Sequence, residues 1–466
     1  MARKDINMTE GPILGKMIAY TLPLLLSGVL QILYNAVDVA VVGRYAANSK
    51  LALAAVGSTG SLTSLIVGLF MGLSVGSCVV LSQCLGAKDD KGASEVVHTS
   101  IFTSFFIGLF LSAVGIIFAR TFLGWMNTPD NVIGFSSLYM RIYFAGLPMQ
   151  MLYNFGSAIL RAKGDTRFPL MVLVISGLAN VILNLILVIV FHLDVAGVAI
   201  ATVASQTISA VMVLIHLCRL DDSCKLYFSK LRIHKYKFIR ILNVGLPAGI
   251  QSVVFAISNV MLQASVNSLG DIAMAGNTAG NNVDGFIYTA QNSVYHAALA
   301  FAGQNFGAHK FDRIKKTAIC ASSLVVGIGI VLGTIALTFS GPLLSIYAPG
   351  ADNAIVREQG LLRLKIVAST YFLCGLMEVL TGLMRGLGNS TVPMIISMLG
   401  ACGIRLLWIF FIFPIERFHN LFWLFMSYPI SWGLTILAQF IAYRIIFKKV
   451  KAMMEATYVV PPLAEK

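Results

Sequence analysis

Runs of roughly 20 apolar residues, one after another with almost no charge among them, constrain this chain more than any other feature. Residues 101–119 read IFTSFFIGLFLSAVGIIFA, 324–339 read LVVGIGIVLGTIALTF, and 406–414 read LLWIFFIFP with apolar flanks. Such a run reaches across a hydrocarbon core of about 30 Å when wound as a helix. A soluble domain carries about 25% charged residues, whereas this one carries 12%, with 57% hydrophobic. The fold class expected is therefore all-α and integral to the membrane. Runs this long and continuous, without the alternation of barrel strands, argue for helices.

Breaks at charge, Pro and Gly clusters divide the chain into twelve spans. Their limits are 14–42, 52–83, 95–120, 132–160, 168–191, 196–218, 239–268, 273–304, 316–340, 358–384, 391–414 and 420–447. The first begins near the N-terminus without a small-residue cleavage site, so no removable signal peptide is expected. The seven cysteines show no metal-ligand spacing, and most sit in apolar runs where a thiol behaves as a small hydrophobe.

The net charge of +14 is arranged by topology. With the N-terminus inside, 25 of the 34 Lys and Arg fall on cytoplasmic segments and 8 on outer loops and outer span ends, Arg363 among the latter; Arg405 lies within a span. That asymmetry predicts a multi-pass protein of the plasma (inner) membrane with both termini cytoplasmic. The basic excess then serves orientation, and no nucleic-acid partner is expected.

An internal repeat organises the spans. Pro23 in YTLPLLL has a counterpart 224 residues on, Pro247 in VGLPAGI. LRAKGDTRFP (160–169) matches MRGLGNSTVP (384–393) at the same offset, and QCLGAK (83–88) matches QNFGAHK (304–310) at 221. Six spans per copy give both copies one orientation, hence two parallel six-helix bundles around a central cleft that rocking exposes to each side in turn. The expected divisions are 1–218 for the first bundle, 219–238 for a basic linker, 239–450 for the second bundle and 451–466 for a cytoplasmic tail. Gly164 and Gly388 read as turn glycines, and Arg161 and Arg385 as headgroup-level anchors.

The chain resembles the multidrug and toxic compound extrusion (MATE) family over nearly its whole length, and its bacterial drug-exporter branch in particular. The resemblance rests on PLLLSGVLQILYNAVDVAVVGR (23–44), the QxxGA and RxxGxxxxP turns, NVILN (180–184) followed by GVAIAT (197–202), and EVLTGLMRGLG (378–388). What it implies is antiport: inward H+ or Na+ drives export of small organic cations and drugs by alternating access. The chain is expected to act as a monomer in the lipid bilayer, as a transporter and not an enzyme, without a cofactor.

Ionisable groups inside the bilayer are functional candidates on physical grounds, because each is costly unless hydrated or paired. Asp38 lies in an apolar span, and Gln31, Tyr34, Asn35 and Asp38 share one helical face. The plain alternative is a structural Asp satisfied by amides. The family resemblance places Asp38 at the span 1 carboxylate and Asn180 and Thr202 on polar positions of the ion site. Asn184 departs from many relatives of other branches, which have a second Asp there. The set Asp38, Asn180, Asn184 and Thr202 offers oxygens to Na+, or Asp38 alone serves as a proton site; both readings stay open.

Glu378 is a second buried candidate, either meeting a cationic substrate in the cleft or pairing with Arg405; its repeat counterpart is Asn154. Span 8 is polar for its depth, with Asp284, Gln291 and His296 as cleft candidates. Asp284 alternatively lies at the outer mouth, and His296 reads as a core histidine or a proton relay. The counterpart of Asp38 is Leu262, so coupling is expected in the first bundle. A lipid-linked saccharide flippase of the same superfamily is the runner-up. A major facilitator transporter and a membrane enzyme are disfavoured, since the loop QCLGAKDDKG lacks the former's charged motif and no nucleophile elbow, HExxH or GxxxxGK occurs.

Overall fold

The computed structural model describes residues 5–45, 49–126, 128–350 and 353–458. Residues 1–4 and the end of the expected tail, 459–466, lie outside the described residues. Among those described, the chain is nearly all helix, with no strand. In chain order come α1 (Ile13–Tyr45), α2 (Ser49–Gly86), α3 (Asp90–Trp125), α4 (Asp130–Ala145), α5 (Leu147–Lys163), α6 (Arg167–Leu185) and α7 (Asp194–Cys218). There follow α8 (Lys235–Asn267), α9 (Asp271–Gly307), α10 (Phe311–Thr338), α11 (Ser340–Tyr347), α12 (Ala354–Arg363), α13 (Ser369–Gly386), α14 (Thr391–Ser397), α15 (Ile404–Leu407) and α16 (Leu421–Tyr458).

Ten helical segments of the described residues are long and apolar enough to cross a bilayer. The other two expected spans are helical but more polar: 132–160 is α4 and α5, broken at Gly146, and 273–304 is α9. Several spans deform by one turn without ending. α6 runs into a π-helical turn at Ile186–Val190, α12 joins α13 through another at Leu364–Ala368, and the eleventh span carries two, at Met398–Gly403 and Trp408–Ile412. Outward-facing residues are apolar and exposed, among them Phe110, Ile117, Ile182, Val331 and Phe411. Hydrocarbon is the solvent that such a surface fits.

The repeat is visible in the backbone. Lys88 (φ 55°) and His309 (φ 57°) take the same left-handed conformation in the two QxxGA turns. Gly164 (φ 103°) and Gly388 (φ 89°) do so in the two RxxGxxxxP turns, a region where a side chain would be strained. The hydrogen bonds repeat too. Asp89 N–H reaches Cys84 O at 2.9 Å, as Lys310 N–H reaches Asn305 O at 2.9 Å. Asp165 N–H reaches Leu160 O at 2.9 Å, as Asn389 N–H reaches Met384 O at 3.0 Å. Each bond satisfies a carbonyl that the helix end would otherwise leave bare.

Contacts group the chain into two compact units. One holds the residues up to Ile6, Leu22–Leu85 and Asp89–Gly249; the other holds Asn7–Thr21, Gly86–Lys88 and the described residues from Ile250 onward. The divisions inside α1 and α8 fall within three residues of the helix-interior prolines Pro23 and Pro247. In the first unit, α2 and the start of α8 cross on glycine. A Cβ on Gly72 would lie 2.1 Å from Gly249 N, and one on Gly76 would lie 2.2 Å from Ile241 O. Helices without side chains at the crossing bring their backbones together, the usual device where the surrounding lipid supplies no hydrophobic drive.

The segment 219–238 is folded onto α3 within the first unit. Tyr227 N–H donates to His98 Nε2 at 3.1 Å and His234 N–H to Thr99 Oγ1 at 3.1 Å. Lys163 bridges Asp5, at 3.0 Å, and Asp222. Cys224 is fully buried in this segment; burial, and then the Asp222 carboxylate, push its thiol up to about 12.

Candidate functional site

The first unit brings α1, α6 and α4 together around Asp38. Gly177, Asn180 and Asn184 follow one another at spacings of three and four, a single face of α6. Tyr34 lies where a side chain at 177 would be: a Cβ there would fall 1.9 Å from its ring. One turn further along α1, Asp38 Oδ1 accepts a 2.5 Å hydrogen bond from Asn184 Nδ2, which also donates to Asn180 Oδ1 at 3.1 Å. Asn184 is fully buried, and its Oδ1 is a buried acceptor with no hydrogen-bond donor. Val37, Val41, Val42, Val132, Val188, Val195 and Val198 cluster beside the carboxylate with Tyr139 of α4. Asp38 therefore has one amide donor, a second acceptor oxygen nearby and apolar surroundings. A carboxylate placed so takes up a proton or a small hard cation to neutralise itself.

The other members of the expected set are placed differently. Thr202 directs its hydroxyl to Val198 O at 2.9 Å, within its own helix α7, and makes no hydrogen bond to the Asp38 trio. Gln31 and Asn35 are exposed and Tyr34 half-buried, so the polar stripe of α1 runs from exposed to half-buried at Asp38. Asn154 is buried in α5. No group of three or more His, Cys, Asp or Glu gathers to hold a metal among the described residues.

In the second unit Asp284 is buried, 1% exposed, and its Oδ2 accepts from Arg363 Nε at 2.8 Å. Arg363 also donates to Asn277 Oδ1 at 2.8 Å and Asn281 Oδ1 at 3.0 Å, and its guanidinium lies 5.5 Å from the ring centres of Phe425 and of Tyr428. The charge count put Arg363 at an outer span end, and the alternative for Asp284 was the outer mouth; the two side chains are buried and paired with each other. The pair is interior because each charge satisfies the other. Arg385 likewise is no headgroup anchor: it is buried, donating to Tyr295 Oη at 2.6 Å and Gln251 Oε1 at 2.9 Å.

Glu378 is half-buried on α13 and makes no hydrogen bond or ion pair among the described residues. The alternative pairing with Arg405 does not form. Arg405 donates to Ser431 Oγ at 3.1 Å and stacks 4.2 Å from the Tyr428 ring centre. Gln291 is 1% exposed, wedged against Gly329 and Gly375, and neither end of its amide has a partner. His296 packs edge-on to Tyr295 at 5.0 Å between centroids. Sequence reasoning missed Arg363, Arg385 and Gln439, whose amide reaches Thr381 at 3.0 Å and Ser397 at 2.9 Å. A polar residue in the midst of an apolar run, as in LLRLK and LAQF, was the signal available.

The architecture has close relatives. A family model described as MatE matches residues 23–186 and 247–411, two stretches that start 224 residues apart, the offset of the repeat. "Probable multidrug resistance protein YoeA" of Bacillus subtilis is 30% identical over 400 residues, 84% of each chain. "Multidrug export protein MepA" of Staphylococcus saprophyticus is 22% identical, over 82% of this chain and 84% of that one. A crystal structure of MATE in complex with MaL6 superposes with a TM-score of 0.89 at 18% identity, covering 97% of this chain and 100% of that chain. The outward-facing conformation of a multidrug resistance MATE family transporter superposes at 0.87, also at 18% identity and with the same coverage. At such identity the structures speak for the fold alone. The family match over most of the chain, together with the relative at 30% identity, places this protein in the MatE family of membrane transporters.

Proposed function

We propose that this chain is a secondary active antiporter that exports organic cations and drugs in exchange for inward H+ or Na+ by alternating access. One observation carries the reading: a carboxylate in an apolar span, Asp38, held by the buried amide of Asn184 beside an acceptor oxygen that has no donor. Charged, that carboxylate resists passage through hydrocarbon; neutralised by H+ or Na+, it passes. Ion entry then becomes the condition for the return step, which couples the downhill ion to the uphill cargo. The multidrug names of the relatives support the cargo class, and Glu378, a carboxylate without a hydrogen bond or ion pair among the described residues, suits its positive charge. Both termini facing the cytoplasm follow from the Lys and Arg asymmetry. The flippase reading gains no support: Asp284 neutralises Arg363 in the second unit, and the relatives carry multidrug names.

Reconstitution in liposomes tests this. Efflux of ethidium is followed under an imposed proton gradient and, separately, a sodium gradient. One gradient drives wild-type efflux, and Asp38→Asn abolishes it while the protein stays folded. Full gradient-driven efflux in Asp38→Asn removes that residue from the mechanism. Movement of a lipid-linked saccharide, with no organic cation moved under either gradient, overturns the export reading. Asn184→Asp, which adds a second carboxylate, is expected to raise sodium dependence.

A further inference from the structure

A groove lies on the flank of the first unit where α7 meets the basic segment. Val211, Leu214, Ile215 and Cys218 form one stripe of α7 at spacings of three and four. Phe228 folds back beside this stripe from the short 3-10 turn Phe228–Lys230, and Arg219 stands at its end. These six residues line an open groove of about 410 Å³. It is not occupied by the protein's own core: Ile215 is 46% exposed and Phe228 64%. Because α7 crosses the bilayer, the face it leaves bare meets lipid. From Val211 to Arg219 a helix rises about 12 Å, close to the depth of one leaflet, half of a ~30 Å core.

The chemistry at the two ends of the groove differs. The stripe is apolar, whereas Arg219 is exposed: its backbone N–H caps α7, and its guanidinium makes no hydrogen bond, ion pair or ring contact among the described residues. The two acids that follow it in the chain are already engaged, Asp221 with Lys225 and Asp222 with Lys163. The segment 219–238 carries six Lys and Arg against two Asp. It also exposes Tyr227 and Tyr236, residues of the kind that settle at a membrane interface. An amphiphile with an apolar tail and an anionic head matches both ends.

We propose that this groove binds an anionic glycerophospholipid from the leaflet on the protein's basic side. Its acyl chain lies along Val211, Leu214, Ile215 and Cys218 beside Phe228, and its phosphate takes the Arg219 guanidinium as a two-pronged donor. A second copy of the chain fits less well: a two-fold contact is self-complementary and would set this basic end against itself. A zwitterionic lipid fills the tail site equally but leaves the net positive charge of the segment unanswered.

The purified full-length protein in detergent, titrated with phosphatidylglycerol or phosphatidylcholine of identical acyl chains and read by native mass spectrometry, tests the site. Wild type is expected to retain phosphatidylglycerol about fivefold better, the preference one basic residue confers at a membrane surface. Arg219→Gln brings retention down to that of phosphatidylcholine, and Ile215→Trp, which fills the groove, lowers both. Phe228→Ala, in the exposed connection, reports on the tail site should Ile215→Trp fail to fold. Lys315→Gln, an exposed charge on α10, leaves the preference intact. An undiminished preference in Arg219→Gln overturns the proposal, as does an equal loss in Lys315→Gln. So does full competition by inorganic phosphate alone, or a dimer that Ile215→Trp dissociates.

Discussion

Replacing Arg363 by Met isolates a buried ion pair of the second unit. The side chains of Arg363 and Asp284 are 4% and 2% exposed, so water screens neither. Asp284 Oδ1 already lacks a hydrogen-bond donor, and its Oδ2 depends on Arg363. Met preserves much of the volume against Phe425 and Tyr428 but leaves a buried carboxylate alone. Stranding one partner of a buried ion pair costs about 3–5 kcal/mol. The bonds to Asn277 and Asn281 add less, since interhelical hydrogen bonds in membranes average about 0.6 kcal/mol. Loss of the ion pair therefore decides the effect. At roughly 2–4 °C per kcal/mol for a unit of this size, a loss of about 3 kcal/mol lowers the melting temperature by about 6–12 °C.

Asp284→Asn is the milder half of the same cycle. There Arg363 keeps two amide acceptors and two ring faces, so the loss is about 1–2 kcal/mol. The double variant removes both charges at once and costs less than the sum of the singles by at least about 1.5 kcal/mol. Tryptophan-fluorescence melting in a fixed detergent reads all four proteins. A fall under about 2 °C in Arg363→Met, or strictly additive losses, would refute the argument that these charges are mutually obligatory.

Other variants probe separate features. Gly72→Ala drives a methyl group into the backbone of Gly249 and is expected to destabilise by at least ~1–3 kcal/mol; unchanged melting would show that α2 and α8 do not need their close approach. Gln291→Met removes a buried amide without partners at nearly constant volume, so the melting temperature should hold or rise; a clear fall would mean the amide is satisfied in the membrane. Cys224, its thiol pushed up from an ordinary 9.0 to about 12, stays protonated through neutral pH. Since only the thiolate reacts, maleimide labelling of Cys224 at pH 8 should be slower than that of a small free thiol of pKa 9.0 by about a thousandfold, and comparable rates would contradict its burial.

The helices were legible because hydrocarbon tolerates so few backbone solutions: a span must satisfy its own amides, so apolar length alone marks it. The turns were legible at Gly164 and Gly388 because the repeat wrote the same backbone requirement twice. Depth was not. Arg363 stands three residues into LLR, and a charge near a span end counts as outside unless its partner is known. That partner, Asp284, is 79 residues away in the chain. Within the candidate site, Asp38 stood out as part of a polar face in an apolar helix, a periodic signal, whereas Asn180 and Asn184 came only with the family resemblance. Thr202 was expected with them, but its hydroxyl bonds Val198 O one turn back along its own helix, a local competition that composition does not reveal. Nor did the segment 219–238 announce its order, because the ring nitrogen of His98 and the hydroxyl of Thr99 that bind its backbone belong to α3.

The grouping of Asn7–Thr21 with the later half of the chain, and of the start of α8 with the earlier half, has a consequence for biosynthesis. A ribosome adds about 5–20 residues per second. Asn7–Thr21 therefore waits roughly 12–50 s before the residues from Ile250 onward, which complete its unit, begin to emerge. The first unit is itself unfinished until Gly249 has been made. Neither half of the gene encodes a unit that closes on its own. A chain cut at the basic segment separates each unit from half a helix that belongs to it, the start of α8 for the first unit and the start of α1 for the second.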